Sequence, residues 1–165
     1  MEKFCLTSII VVFLFFCSNG IKAQTTQTKL DQVELMKQFV GTWQMTVSED
    51  TIQIFEVQQY EKAFISISYL LINGTKVFSS VLNLGFSSKD NRFRGFTLWS
   101  SGGYMTSISS FTSENKWVGD WVRNFNPEAV TEKFEIVFDT PSSMTISELT
   151  PGGIKTKEYR FNKIN

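Results

Sequence analysis

Two tryptophans four positions apart with a glycine midway, Trp117-Val118-Gly119-Asp120-Trp121, form the stretch of this sequence best suited to hold a ligand. In an extended strand residues i, i+2 and i+4 share a face. Both indoles therefore stand on one side, and Gly119 leaves side-chain volume free between them. With Trp99, Tyr69 and Tyr104 these large amphipathic rings suit the wall of an apolar ligand site. They serve equally as core filling, and a glycine inside a strand also marks bends. Two arginines could hold a ligand carboxylate at the end of such a site by charge-assisted hydrogen bonds. One is Arg160, which shares a face with Glu158 opposite Lys155, Lys157 and Tyr159; the other is Arg123, at the end of a strand. The competing readings are a structural latch for Arg160, paired with Glu158 or stacked on a ring, and plain solvent exposure for Arg123.

For acid–base chemistry the sequence offers carboxylates, notably Asp120, Glu132, Glu148 and Glu158, of which Glu148 follows Met144 and Ile146 along one face. A buried carboxylate can act as a general acid or base, but no spacing here argues for a catalytic pair. The chain of 165 residues has no histidine, and its two cysteines, Cys5 and Cys17, both lie in the first 17 positions. Those positions read as a leader: Met-Glu-Lys, an apolar run from Phe4 to Cys17, and a short polar stretch ending in Ala23. This is the pattern of a secretory signal peptide over residues 1–23, too short and too interrupted for a membrane span. Phe16 before Cys17 is a poor context for lipid attachment. Cleavage after Ala23 would leave a domain without cysteine or histidine and one negative charge from neutrality. That removes disulfides, thiolate nucleophiles, Ser-His triads and imidazole- or sulfur-held zinc or haem. No metal site and no cofactor is expected, and the balanced charge leaves no footprint for nucleic acid or an anionic membrane surface.

The elements that would position these residues are legible from turns and periodicity. After a polar leader at 24–28, Leu30, Val33, Met36 and Phe39 recur at helical spacing before Gly41. The spacing predicts one short amphipathic helix that a left-handed glycine can stop. From there, runs rich in valine, isoleucine, threonine and aromatics are punctuated about every ten residues by turn chemistry, with Asn73-Gly74 the strongest hairpin signal. About ten strands are expected, starting at Thr42, Ile52, Ala63, Lys76, Arg92, Tyr104, Lys116, Val130, Ser143 and Ile154. Ten hairpin-linked strands in an open sheet leave two exposed edges, and closure removes both. The expected fold is all-β: an antiparallel up-and-down barrel with one short N-terminal helix, over residues 29–165. Alternation predicts inward rows Trp43, Met45 and Val47; Ile65, Ile67, Tyr69 and Leu71; and Phe134, Ile136 and Phe138. In the fourth strand Phe78, Leu82 and Phe86 lie on one face and Val77 and Val81 on the other. This pattern predicts cover over part of the outer surface, by the helix or by a second subunit as a homodimer through an apolar outer face.

The segment Phe39-Val40-Gly41-Thr42-Trp43, a short helix running into Gly-x-Trp and the first strand, resembles the lipocalin-like, or calycin, superfamily. The Thr-Asp-Tyr signature of lipocalins proper is absent, so the resemblance is to a bacterial exported lipocalin-like family of unknown function. It implies that Trp43 closes the barrel floor, that Gly41 belongs to the same structural motif, and that a late-strand cation stacks on the ring, with Arg160 the matching candidate. The related nitrobindins hold haem through a histidine this chain lacks. The expected role is non-catalytic binding of a small apolar or amphipathic molecule in an exported, periplasmic or secreted, compartment. Two alternatives stay open: a filled barrel acting as an interaction or scaffold module, and a cofactor-free isomerase or hydrolase using a buried carboxylate.

Overall fold

A computed structural model of the chain describes residues 30–164. The expected leader (1–23) and polar stretch (24–28) lie outside the described residues. Asp31 caps α1 (Gln32–Met36) by accepting from the backbone N–H groups of Val33 and Glu34 at 3.1 and 3.0 Å, and a 3₁₀ turn (Lys37–Phe39) follows. Gly41, at φ +124°, then opens the first strand. Ten strands follow in chain order: β1 (Gly41–Ser48), β2 (Thr51–Tyr60), β3 (Ala63–Ile72), β4 (Thr75–Ser87) and β5 (Arg92–Trp99), then β6 (Tyr104–Ser113), β7 (Lys116–Val122), β8 (Val130–Thr140), β9 (Ser143–Leu149) and β10 (Lys155–Lys163). Each start falls within one residue of the sequence-based expectation. Each strand pairs antiparallel with its chain neighbours, and β1 pairs with β10 to close the barrel. Among the described residues no helix is long and apolar enough to cross a membrane.

Cross-strand partners share a face of the sheet, so the pairing registers sort the residues into inside and outside. Trp43, Phe55, Ser68, Ser80 and Trp99 are successive partners from β1 to β5 and mark one inward row. This corrects the expected face of β3. Phe64, Ser66 and Ser68 turn inward, while Ile65, Ile67, Tyr69 and Leu71 turn out. The two-residue connection Glu61-Lys62 sets Tyr60 opposite Ala63, and that register overrides the greater apolarity of the isoleucine row. Two bulges produce further corrections. An extra residue, Ser79, separates Ser80 from Phe78, so Leu82 and Phe86 face in and Phe78 faces out. A register shift between Thr46 and Ser48 takes Val47 out of the Trp43 row, leaving it 54% exposed. Phe134, Ile136 and Phe138 face inward as expected.

One end of the barrel is filled. Trp43 is fully buried and donates its indole N–H to the Phe39 carbonyl at 2.8 Å. The Phe39 ring meets Trp117 and Phe138 edge-on, at centroid distances of 5.1 and 4.7 Å. Gln32, also buried, docks the helix on β6: its amide donates to the Phe111 carbonyl at 3.1 Å and accepts from the Phe111 N–H at 2.7 Å. Both polar ends of the side chain are thereby satisfied in an apolar setting. The cation over Trp43 is Lys163, with Nζ 5.3 Å from the ring centroid, and not Arg160. Lys163 stands opposite Trp43 across the β1–β10 seam and also donates to the Gln38 carbonyl at 3.4 Å. Trp43→Ala is expected to cost about 3–5 kcal/mol in urea denaturation, the range for deleting a large buried aromatic; a loss below about 1 kcal/mol would mean the floor does not depend on the ring.

Candidate functional site

Beyond the floor the barrel is hollow. A cavity of about 430 Å³ opens toward the far end, above Phe39, Phe64 and Phe161. Its origin lies in side-chain size: Ser66, Ser68, Ser80 and Thr97 take inward positions on β3 to β5 beside Leu82 and Trp99, and leave space facing the larger residues of β7 to β10. Trp99, Trp117, Trp121 and Tyr159 supply aromatic wall. Three lining residues each carry a buried polar atom, Ser68 Oγ, Thr97 Oγ1 and Trp117 Nε1, with no hydrogen-bond partner among the described residues. Thr97 is 5% exposed and Trp117 4%. Leaving such a group unpaired costs about 1–3 kcal/mol.

Of the residues singled out from the sequence, Trp99, Trp117 and Trp121 line the cavity. Gly119 shares their inward face, but the expected room beside it is taken. A Cβ there would lie 2.3 Å from Phe134 Cζ and 2.7 Å from Ser109 Cβ. The Phe134 ring occupies the gap, with its centroid 5.2 Å from both Trp117 and Trp121. Gly119 thus serves close packing within the wall. Tyr69 lies on the outside, donating its hydroxyl to Glu56 Oε1 at 2.7 Å beneath the Lys76 ammonium, 3.6 Å from the ring centroid. The hydrogen bond to the Glu56 carboxylate holds the Tyr69 phenol above its ordinary pKa. Tyr104 is outside as well, 57% exposed and stacked on Phe96.

Neither arginine reaches the cavity. On β10 the partners of inward Ile146 and Met144 are Tyr159 and Phe161, so Arg160 and Glu158 alternate outward. Arg160 is exposed and donates to Ser143 Oγ at 3.5 Å. Glu158 pairs instead with Lys155. Arg123 is exposed just past the end of β7. At the cavity the inward-facing charges are two carboxylates and Lys157, which stands opposite one of them. Glu132 stands opposite Trp121 and Glu148 opposite Phe134, and both line the cavity. Glu148 accepts an ion pair from Lys157 at 3.4 Å, and the carboxylate raises the lysine's pKa above its ordinary value. Among the described residues no group of three or more metal-ligating side chains converges. Sequence reasoning missed the serine row and Lys163. A β1–β2–β3 register anchored on Trp43 would have found the serines, because Ser66 and Ser68 sit at the strand period opposite Val57 and Phe55.

No family model and no curated protein sequence matches this chain. The closed ten-strand antiparallel barrel with its floor helix is consistent with a calycin-like fold. Because Phe134 already fills the space at Gly119, Gly119→Ala is expected to destabilise the protein by about 1–3 kcal/mol, the usual cost of overpacking. Adding Phe134→Leu should recover part of that loss in the same denaturation measurement; equal stability of wild type and Gly119→Ala would show that the ring is free to move aside.

Proposed function

We propose that this protein is a lipocalin-like binder of a small apolar or amphipathic molecule, without catalysis, acting in an exported, periplasmic or secreted, compartment. The observation that carries the reading is the 430 Å³ cavity whose mainly apolar wall includes three unpartnered polar atoms. Its size falls within the range of about 300–1,000 Å³ typical of small-molecule sites, which combine apolar walls with a few polar groups fixing orientation. The compartment is supported by the leader pattern of the sequence. Membership of the calycin superfamily is supported by Gly41-x-Trp43 after a helix and by a late-strand cation, Lys163, over the tryptophan.

Native mass spectrometry of material exported by its host tests compartment and binding together. A chain beginning at Gln24 and carrying an adduct is the expected result. Ser68→Phe should abolish uptake of an apolar dye by filling the cavity and removing an unpaired hydroxyl, with thermal unfolding unchanged. An intact leader contradicts the compartment; dye uptake by the variant equal to wild type contradicts binding in this cavity.

The outer face favours a second, compatible reading in which two copies pair. Ile67, Phe78, Phe96, Leu98 and Tyr104 are each at least 38% exposed and lie on the consecutive strands β3 to β6. Contiguous apolar surface of this kind marks contact sites, and a homodimer buries the same patch on both partners. Sedimentation should show a dimer that Phe78→Lys converts to monomer; a wild-type monomer at high concentration excludes it.

A further inference from the structure

The charge at the cavity is net negative, two carboxylates against one lysine. Glu132 and Glu148 are the only charged side chains among its lining residues. Their registers, opposite Trp121 and Phe134, place them diagonally across β8 and β9. Diagonal neighbours of this kind stand about 7–8 Å apart, a separation at which one small cation can be attracted by both. Lys157, on the same face opposite Glu148, answers one of the two negative charges by its ion pair. Glu132, an exposed residue near the start of β8, has no ion pair among the described residues. Trp99, Trp121 and Tyr159 line the same space, and the faces of such rings attract cations, quaternary ammonium groups included. An independent observation also points to a ligand here: Thr97, 5% exposed, lines this cavity, and its hydroxyl has no partner among the described residues.

We propose that the cavity takes an organic cation, with its apolar body against the aromatic wall and an amine or quaternary ammonium end drawn to Glu132 and Glu148. The inference rests on the binding reading above and specifies the ligand's charge, opposite to the carboxylate that inward arginines would have held. A carboxylate ligand would meet the like charge of Glu132, with the Lys157 ammonium already engaged by Glu148, whereas an ammonium neutralises the one carboxylate left unanswered.

Titration calorimetry on protein expressed from the full coding sequence, with octyltrimethylammonium, octanol and octanoate below their aggregation concentrations, decides the matter. The three probes share a tail and differ in head charge. The cation should bind at least tenfold more tightly than octanol, and octanoate more weakly than either. Glu132→Gln should cut the cation's advantage severalfold while leaving octanol unchanged, and Glu132→Lys should favour octanoate. If either variant fails to unfold cooperatively, the wild type carries the test: raising salt from about 20 to about 500 mM should weaken the cation and spare octanol. Equal binding of all three probes, or a cation advantage unaffected by both Glu132→Gln and salt, overturns the charge assignment and leaves the cavity reading standing. Binding of none overturns both.

Discussion

The whole architecture depends on a short seam. Closure of the barrel requires β1 to pair with β10, and that pairing is confined to Trp43 opposite Lys163 and Gln44 opposite Asn162, extended by the bond from the Ile164 N–H to the Thr42 carbonyl. So small a stretch of ladder needs side-chain support, and Trp43 concentrates it. Its ring is fully buried against Phe138 and Phe55, its N–H ties the helix exit at Phe39, and the Lys163 ammonium lies over it from the facing strand. One residue thereby joins first strand, last strand and floor. Edges left unpaired would be open to association with other chains, so the same contacts protect the protein and shape it.

A floor packed this way permits the other half to stay open. Aromatic density from Phe39, Phe111, Trp117 and Phe138 is gathered at the helix end, where apolar burial stabilises most. Past that level Ser66, Ser68, Ser80 and Thr97 stand inward on β3 to β5 and pack little. The unpaired Thr97 hydroxyl and Trp117 indole N–H are unfavourable in isolation, since a buried polar group without a partner is a net loss. Local stability gives way at these positions to a hydrogen-bonding interior, the pattern expected where a site is positioned by a rigid scaffold.

Strand number, strand starts, the floor helix and the Trp43 motif were legible in the sequence because each rests on local chemistry. The Asn73-Gly74 turn adopts the positive φ values, +49° and +76°, that its composition requires. Facing was harder to read, because it depends on register and bulges that leave little local trace. On β3 two candidate rows, Phe64-Ser66-Ser68 and Ile65-Ile67-Tyr69, differ by one residue, and a one-residue shift exchanges inside for outside. The apolar choice was wrong because the outer wall is itself apolar there and the inner wall is built to be small. Arg160 and Lys163 differ by an odd number of positions, so only one could face Trp43, and the β1–β10 register selects the lysine. At Gly119 the missing Cβ was legible, but the ring that fills its place comes from β8, across a pairing invisible to local spacing.

A crystal structure of the protein purified without denaturation would test most directly the claim that a Trp43-anchored floor leaves a preformed polar-lined cavity above it. The account predicts Trp99, Met105 and Trp121 held at the wall, with density inside the barrel in hydrogen-bond reach of Thr97 Oγ1 or Trp117 Nε1. Rings turned inward to fill the space, with both polar atoms paired to protein groups, would contradict it.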